Sequence, residues 1–401
     1  MPKRDKIPYA AQARTAIREC FDQLAVFRYP LPIALYHYIA AAELDTLQSA
    51  ADAAAGPAES HRRLVESSEI AIRALHDRCP IVVGGAPTMD RDAFLAAREL
   101  YDFAHGLSQV EYSLALADRG QFEFFVSNKD PRITFAYTSL DADLSDTRTR
   151  ALDIHHLQPR DAEYKLPALL DELRAIVPAT YPERCAYSYT PRLIELTRTY
   201  GQQKLARTNP LEFPSTLEID TVSFAQLQAF WAALLGIVDV HTAAHCIADQ
   251  GDLQRLAIHT IVLGQPQDEF VNLIAAIADL SRATVEQLVH WFTYDPAIGD
   301  RCPILQPFLG TPPYLILPSA FVNGNRFERN FRKLLHTHPY LRRFASSFEV
   351  RLEPIALASL QCMFPDPPYY TAIQVDIPGL TDIDLLIIER TSGFVLVLQH
   401  K

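Results

Sequence analysis

The C-terminal end of the chain decides the fold: residues 383–389 read IDLLIIE and residues 394–401 read FVLVLQHK. Both runs are short, apolar and rich in β-branched side chains, which is typical of strands. The four residues between them, RTSG at 390–393, are enough to link two antiparallel strands. The sequence therefore predicts a β-hairpin, with a further strand at 370–377 before it.

Polar side chains lie at the open end of this predicted hairpin. Asp384 is near the start of the first strand, and Gln399 and Lys401 close the second. Pairing across the turn brings the start of one strand beside the end of the other. Alternate residues of a strand share a face, so Gln399 and Lys401 point one way and His400 the other. We expect Asp384, Gln399 and Lys401 to converge.

These residue types suit phosphodiester hydrolysis. Mg²⁺ prefers oxygen ligands and keeps several waters, so the Asp384 carboxylate and the Gln399 amide oxygen are candidate ligands. A bound metal ion stabilises charge on the phosphate and lowers the pKa of a bound water. Lys401 would position that water and neutralise charge in the transition state.

A helix, a strand, an Asp-bearing strand and a strand ending in Gln-x-Lys together resemble the PD-(D/E)XK nuclease superfamily. The resemblance covers only the C-terminal part of the chain. It implies a restriction-endonuclease-like α/β core that hydrolyses DNA with one or two Mg²⁺ or Mn²⁺ ions. Asp384 and Gln399 match the metal ligands of the family, and Lys401 matches its catalytic lysine. Glu349, on the preceding helix, matches an auxiliary acidic residue.

Two features depart from the family pattern. Gln399 replaces the commoner Glu, which removes one negative charge from the metal site. The sequence stops at Lys401, whereas family members continue with a further helix and strand. We therefore expect either a fragment of a longer protein, with an incomplete core, or a decayed nuclease.

A basic segment precedes the predicted core. Residues 326–351 contain seven Lys and Arg residues against two Glu, whereas the whole chain has a net charge of −11. Such a segment can follow the phosphates of a nucleic acid; alternatively it is a solvated helix face. The candidate nucleic-acid contacts are Arg326, Arg329, Arg332, Lys333, Arg342 and Arg343.

The rest of the chain reads as mostly helical. Helical spacing dominates residues 9–118, a β-hairpin is predicted between 121 and 138, and helices return as far as 292. We expect an α+β protein in three regions: a helical region at 1–120, a mixed, mostly helical region at 121–300, and the nuclease-like core at 301–401. A Pro354 interruption is expected in the helix before the last three strands.

Other features limit the class of protein. The longest apolar run, 230–240, is about half of a membrane span, and no secretory signal is visible. The six cysteines read as free thiols, so we expect a cytoplasmic protein. His241 and His245 share a helix face but lack a metalloprotease signature, and are interpreted as core or surface residues. The rival hypothesis is a non-catalytic protein whose helical region binds a partner protein or a second copy.

Overall fold

The structure of the protein is a computed structural model. It describes residues 9–51, 57–82, 90–127, 130–139, 167–176, 187–208, 213, 215, 217–248, 261–296, 303–311, 313–324, 327–362, 364, 366, 368–375 and 383–398.

Helices make up most of the described chain, and the small sheets between them make the fold α+β, as predicted. In chain order the helices are α1 (Tyr9–Asp22), α2 (Leu31–Ala51), α3 (Pro57–Arg78), α4 (Arg91–Asp118), α5 (Pro167–Ile176), α6 (Pro191–Thr208), α7 (Phe224–Ala248), α8 (Gln267–Ala278), α9 (Arg282–Phe292), α10 (Ser319–Asn323), α11 (Phe327–Thr337) and α12 (Arg342–Cys362).

The named strands of the described chain pair with one another antiparallel, and an isolated bridge between Thr293 and Phe308 is parallel. The strands are β1 (Phe122–Ser127), β2 (Asp130–Tyr137), β3 (Glu218–Ile219), β4 (Val222–Ser223), β5 (Gly264–Pro266), β6 (Leu309–Thr311), β7 (Tyr314–Ile316), β8 (Tyr369–Val375), β9 (Ile383–Glu389) and β10 (Val395–Leu398). They form four sheets, in the orders β1-β2, β3-β4, β5-β7-β6 and β10-β9-β8. The two predicted hairpins, β1-β2 and β9-β10, are confirmed.

Residue contacts divide the chain into two compact units. The first unit comprises Met1–Leu211 and Gln226–Lys333, and the second comprises Glu212–Ala225 and Leu334–Lys401. The second unit therefore combines the C-terminal segment, from Leu334 onward, with a segment from the middle of the chain.

Helix α7 supplies much of the core of the first unit. Trp231 stacks on Phe327 with ring centroids 5.0 Å apart, and Phe230 stacks on Phe292 at 5.6 Å. The segment Phe224–His245 is long and apolar enough for a membrane span, but 72% of its most apolar window is buried inside the protein. Such burial is typical of a core helix, which has to be hydrophobic all round.

Helices α6 and α7 approach each other closely at two glycines. A Cβ atom added to Gly236 would lie 2.5 Å from the carbonyl oxygen of Thr197. A Cβ atom on Gly201 would overlap the carbonyl oxygen of Ala232. Because glycine has no side chain, the two backbones can come into contact at this crossing.

The second unit combines helix α12 with two sheets. Phe348 of α12 contacts Phe213 edge to face, with ring centroids 5.4 Å apart. Helix α12 runs from Arg342 to Cys362 without a break at Pro354, so the predicted interruption is wrong. A proline removes one backbone hydrogen bond and can bend a helix while the turns on either side continue it.

Candidate functional site

The described residues nearest in sequence to the predicted site lie at one end of the three-stranded sheet of the second unit. At this end Val375 of β8 pairs with Ile383 of β9, and Leu398 of β10 pairs with Leu385 of β9. Asp384 lies between Ile383 and Leu385 in β9, but its side chain is outside the described part of the structure. Gln399 and Lys401 also lie outside the described residues, so the convergence of the three side chains stays a prediction.

The two faces of this sheet differ in burial. Leu385 and Ile387 are buried, and Leu396 of the neighbouring strand packs against them. Leu386 and Ile388, which alternate with them, are half-buried. On β10, Val395 and Val397 are each 50% exposed. One face therefore belongs to the core, and the other is open and largely apolar.

Glu349, the predicted auxiliary acidic residue, is held by a histidine. Its Oε1 atom lies 3.2 Å from Nε2 of His336, near the end of α11. The Glu349 side chain is 21% exposed and that of His336 is 51% exposed. An ionised carboxylate only accepts hydrogen bonds, so the imidazole N–H is the donor to it.

A second histidine, His338, stabilises the turn between α11 and α12, which brings His336 and Glu349 together. His338 is buried, and its Nδ1 atom accepts hydrogen bonds from the backbone N–H groups of Tyr340 (3.1 Å) and Leu341 (3.3 Å). Its own backbone N–H donates to the carbonyl of Leu334 at 2.8 Å. These bonds satisfy backbone groups where α11 ends and fix the short link to α12.

The six basic residues predicted to contact nucleic acid differ in how the structure describes them. Arg326 and the side chain of Arg329 are outside the described part of the structure. Arg332 is half-buried and Lys333 is exposed, both on α11. Arg342 and Arg343 are exposed in the first turn of α12, which contains no acidic residue. The positive end of the helix dipole favours anions at this position, so two arginines there are unfavourable for the helix itself.

Arg343 is engaged by aromatic neighbours. Its guanidinium carbon lies 3.9 Å from the ring centroid of Tyr340 and 4.7 Å from that of Phe344. The Tyr340 hydroxyl donates a 2.7 Å hydrogen bond to Asp220, which has a left-handed backbone with φ of 57°. That hydrogen bond raises the pKa of Tyr340 above its ordinary value. Arg343 is therefore part of a local stack, whereas Arg342 forms no ion pair or ring contact with the described residues.

The histidines of α7 belong to a buried network. His241 and His245 are buried, with ring centroids 4.3 Å apart. His241 places Nε2 at 3.0 Å from the carbonyl of Ile261 and Nδ1 at 3.2 Å from the Tyr187 hydroxyl. Both ring nitrogens of His241 thus have protein partners. No three His, Cys, Asp or Glu side chains in the described part of the chain form a group that could hold a metal ion.

Sequence reasoning missed a buried carboxylate in the first unit. Glu43 accepts hydrogen bonds from the Ser319 hydroxyl at 2.5 Å and from the Ala320 backbone N–H at 3.4 Å. Burial raises its pKa above the ordinary value, and the hydrogen bonds act in the opposite direction. A signal was present, because Glu43 is the first acidic residue of α2 and directly follows the apolar run at 38–42.

No known family model, curated protein or solved structure matches this chain.

Proposed function

We propose that the second unit is a PD-(D/E)XK-type core that hydrolyses phosphodiester bonds in DNA with Mg²⁺ or Mn²⁺. The order of elements supports the proposal: helix α12 is followed by β8, β9 and β10, with β9 central in an antiparallel sheet. The observation that carries it is the pairing of Leu398 with Leu385. Asp384 precedes Leu385 and Gln399 follows Leu398 in the sequence, so pairing continued by one step would place Gln399 opposite Asp384.

The burial pattern also supports the proposal. Leu386 and Ile388, two of the even-numbered residues of β9, are half-exposed, and Leu385 and Ile387 are buried. The proposal requires the Asp384 carboxylate to lie on the half-exposed face, as strand alternation predicts. Because Mg²⁺ retains several of its waters, its ligands have to be reachable from solvent.

The length of α12 suits a role for Glu349. Thirteen residues separate Glu349 from Cys362, which is about 20 Å along a helix. Strand β8, from Tyr369 to Val375, advances by about the same distance. If α12 runs antiparallel beside β8, Glu349 lies level with Val375. Val375 pairs with Ile383, the residue before Asp384.

In the proposed mechanism, each polar residue has a separate role. Asp384 and Gln399 would hold the metal ion, and Glu349 would be an auxiliary ligand. The bound metal ion would polarise the phosphate and lower the pKa of the attacking water. Lys401 orients that water and stabilises the charge that develops on the phosphate oxygens. Arg342 binds a neighbouring phosphate.

The test is a cleavage assay on single- and double-stranded DNA and RNA with Mg²⁺ or Mn²⁺. Asp384→Asn is expected to reduce cleavage on the order of 100-fold or more. Asp366→Asn is the matched control: it removes one exposed carboxylate of the same unit, which pairs with Arg390 at 2.9 Å beside the turn after β9. An unchanged rate in Asp384→Asn, or no cleavage by well-folded wild-type protein, would contradict the proposal.

A second candidate function is protein binding without catalysis. The open face of the sheet carries exposed apolar side chains: Tyr370 (47%), Val395 (50%) and Val397 (50%), with Phe394 (63%) just before β10. Clustered exposed apolar residues are typical of interaction surfaces. A folded protein that cuts no nucleic acid would favour this function. Light scattering of wild type and Val397→Lys then tests for self-association, which the lysine should disrupt.

A further inference from the structure

We propose that helices α8 and α9 of the first unit form a helix-turn-helix motif that binds the major groove of duplex DNA through α9. Helix α8 has 12 residues and α9 has 11, and Asp279, Leu280 and Ser281 link them. A link of roughly three or four residues between two helices is typical of this motif. When the motif binds DNA, its second helix lies in the major groove, and the N-terminal residues of that helix contact base edges.

The turn between the two helices is fixed by contacts on both sides. Asp279 ends α8 in a left-handed conformation, with φ of 58° and ψ of 45°, which turns the chain away from the helix axis. Ser281 begins α9 by accepting a hydrogen bond from the Thr284 backbone N–H. Arg198 of α6 donates to two carbonyl groups in the last turn of α8, at 2.5 and 2.8 Å. The direction in which α9 leaves the turn is therefore set by the fold.

Helix α9 is anchored along one side and exposed along the other. Arg282, Glu286 and His290 are spaced four residues apart, so they follow one another along one face, and all three are exposed. Ala283, the second residue of the helix, is exposed as well. The buried residues of α9 are Val285, Leu288, Val289, Trp291 and Phe292. The part of α9 that faces solvent therefore includes its first two residues, which are the ones that this motif directs at the bases.

Arg282 is held in position at the start of α9. Its Nε donates to Glu286 at 2.7 Å, and its two terminal nitrogens donate to Asn272 at 2.7 Å and to Asp268 at 2.6 Å. A guanidinium group has five N–H donors, so two of them have no acceptor among the described residues. A bidentate arginine contact to O6 and N7 of guanine is the commonest specific contact in the major groove. Arg282 is the residue that reads a guanine.

The charge around Arg282 predicts that binding depends on the DNA sequence. Residues 267–290 contain four Asp and Glu residues and one Arg. Asp268 and Glu286 offset the charge of Arg282, and attraction to phosphates is the term that supplies most non-specific binding. Affinity at this surface then comes mainly from contacts with base edges. We expect weak binding to arbitrary duplexes and tighter binding to a preferred sequence.

The test is a selection with the full chain on a pool of random-sequence DNA duplexes, in EDTA so that no metal-dependent cleavage occurs. The enriched duplexes should share a sequence that contains guanine. Arg282→Ala should weaken binding to an enriched duplex about 10-fold and change binding to a shuffled duplex little. Arg192→Ala is the matched control, because Arg192 is 56% exposed and pairs with Glu195 of its own helix at 2.8 Å, outside the motif. It should change neither affinity.

A second variant, Ala283→Glu, separates DNA binding from folding. An acidic residue in the first turn of a helix interacts favourably with the helix dipole, so this protein should melt at the same temperature as wild type or higher. The same carboxylate faces the DNA beside Arg282 and should weaken binding to the enriched duplex about 10-fold or more. Melting curves and fluorescence anisotropy of the labelled duplex measure the two effects.

Three results would overturn the proposal: no enrichment over the starting pool, equal losses in Arg282→Ala and Arg192→Ala, or wild-type affinity in Ala283→Glu. None of them bears on the proposed nuclease, because binding is measured without divalent metal ions. Arg342→Gln, which tests the phosphate contact proposed for the second unit, should weaken binding to enriched and shuffled duplexes equally. A loss confined to the enriched duplex therefore belongs to α9.

Discussion

Leu398 of β10 pairs with Leu385 of β9, and this pair is the last described step of the C-terminal hairpin. Leu385 is completely buried, and Ile387 next to it on the same face is 3% exposed. Leu396 of β10 packs against this buried face, whereas Val395 and Val397 are each 50% exposed. A shift of β10 by one residue would exchange these faces, so the burial pattern of both strands fixes which residue of β10 lies opposite each residue of β9. The proposed metal ligands depend on that register.

Replacing Leu385 should destabilise the second unit far more than replacing its neighbour. Leu385→Ala removes a fully buried side chain and should lower the free energy of unfolding by about 2–5 kcal/mol. Leu386→Ala is the matched control, since Leu386 is half-buried on the other face, and should cost about 1 kcal/mol. Urea denaturation of both variants measures the difference. Equal losses would contradict the assigned faces of β9.

Two glycine substitutions should change stability in opposite directions. Gly201→Ala places a methyl group against the Ala232 carbonyl at the α6–α7 crossing and should cost about 1–3 kcal/mol. Gly106→Ala, on an exposed position of α4 with no atom within 4 Å of the added carbon, should stabilise by about 0.5–1 kcal/mol. Thermal unfolding of both variants gives the sign. A stabilised Gly201→Ala protein would show that the helices do not approach as described.

Local patterns were sufficient to predict most of the long elements. Helix α7 has a continuous apolar sequence, and helices were predicted as far as residue 292. Ser281 caps α9 by accepting a hydrogen bond from the Thr284 backbone N–H. Strands β5 and β6 were not predicted, because three residues contain too little periodicity to distinguish a strand from a loop. Their pairing with β7 is set by the tertiary structure.

Contacts between distant parts of the chain could not be read from the sequence. Ser319 binds Glu43 from 276 positions away, and Tyr340 binds Asp220 from 120 positions away. No local pattern encodes such pairs, since each depends on the packing of several elements. The His336–Glu349 bond joins a predicted site residue to a histidine 13 positions earlier, and only the turn between α11 and α12 brings the two side chains together. The convergence of Asp384 with Gln399 and Lys401 remains a prediction from register alone.

The stability of the first unit should depend on the ionisation of Glu43. Burial raises the pKa of Glu43 in the folded protein above its value in the unfolded chain. The contribution of Glu43 to the free energy of unfolding is therefore fully present below about pH 4, and it is lost as the pH rises through the folded pKa. Glu43→Gln keeps an oxygen acceptor for Ser319 but cannot ionise. The variant should therefore melt at a higher temperature than wild type at pH 7, with the difference shrinking toward pH 4. Melting curves between pH 4 and pH 8 check this, and a difference that grows toward low pH would contradict it.

The adjacent residues Arg342 and Arg343 should differ in their effects on DNA binding. Arg343 is stacked on Tyr340, so Arg343→Gln should mainly cost stability, by about 0.5–1 kcal/mol. Arg342 is exposed in the first helical turn without an ion pair among the described residues, where it opposes the helix dipole. Arg342→Gln should weaken DNA binding and lower the salt dependence by about one phosphate contact. The same change should raise stability by about 0.3–1 kcal/mol.

The DNA affinity of both arginine variants is measured by fluorescence anisotropy of labelled DNA at several KCl concentrations. An Asp384→Asn background prevents cleavage during the measurement. An unaltered affinity and salt dependence in Arg342→Gln would assign that residue to a solvated helix face. An equal loss of DNA affinity in both variants would show that the stack of Arg343 on Tyr340 also contributes to DNA binding. A gain in stability together with a loss of binding would show that the sequence keeps an unfavourable charge at the start of α12 because it contacts phosphate.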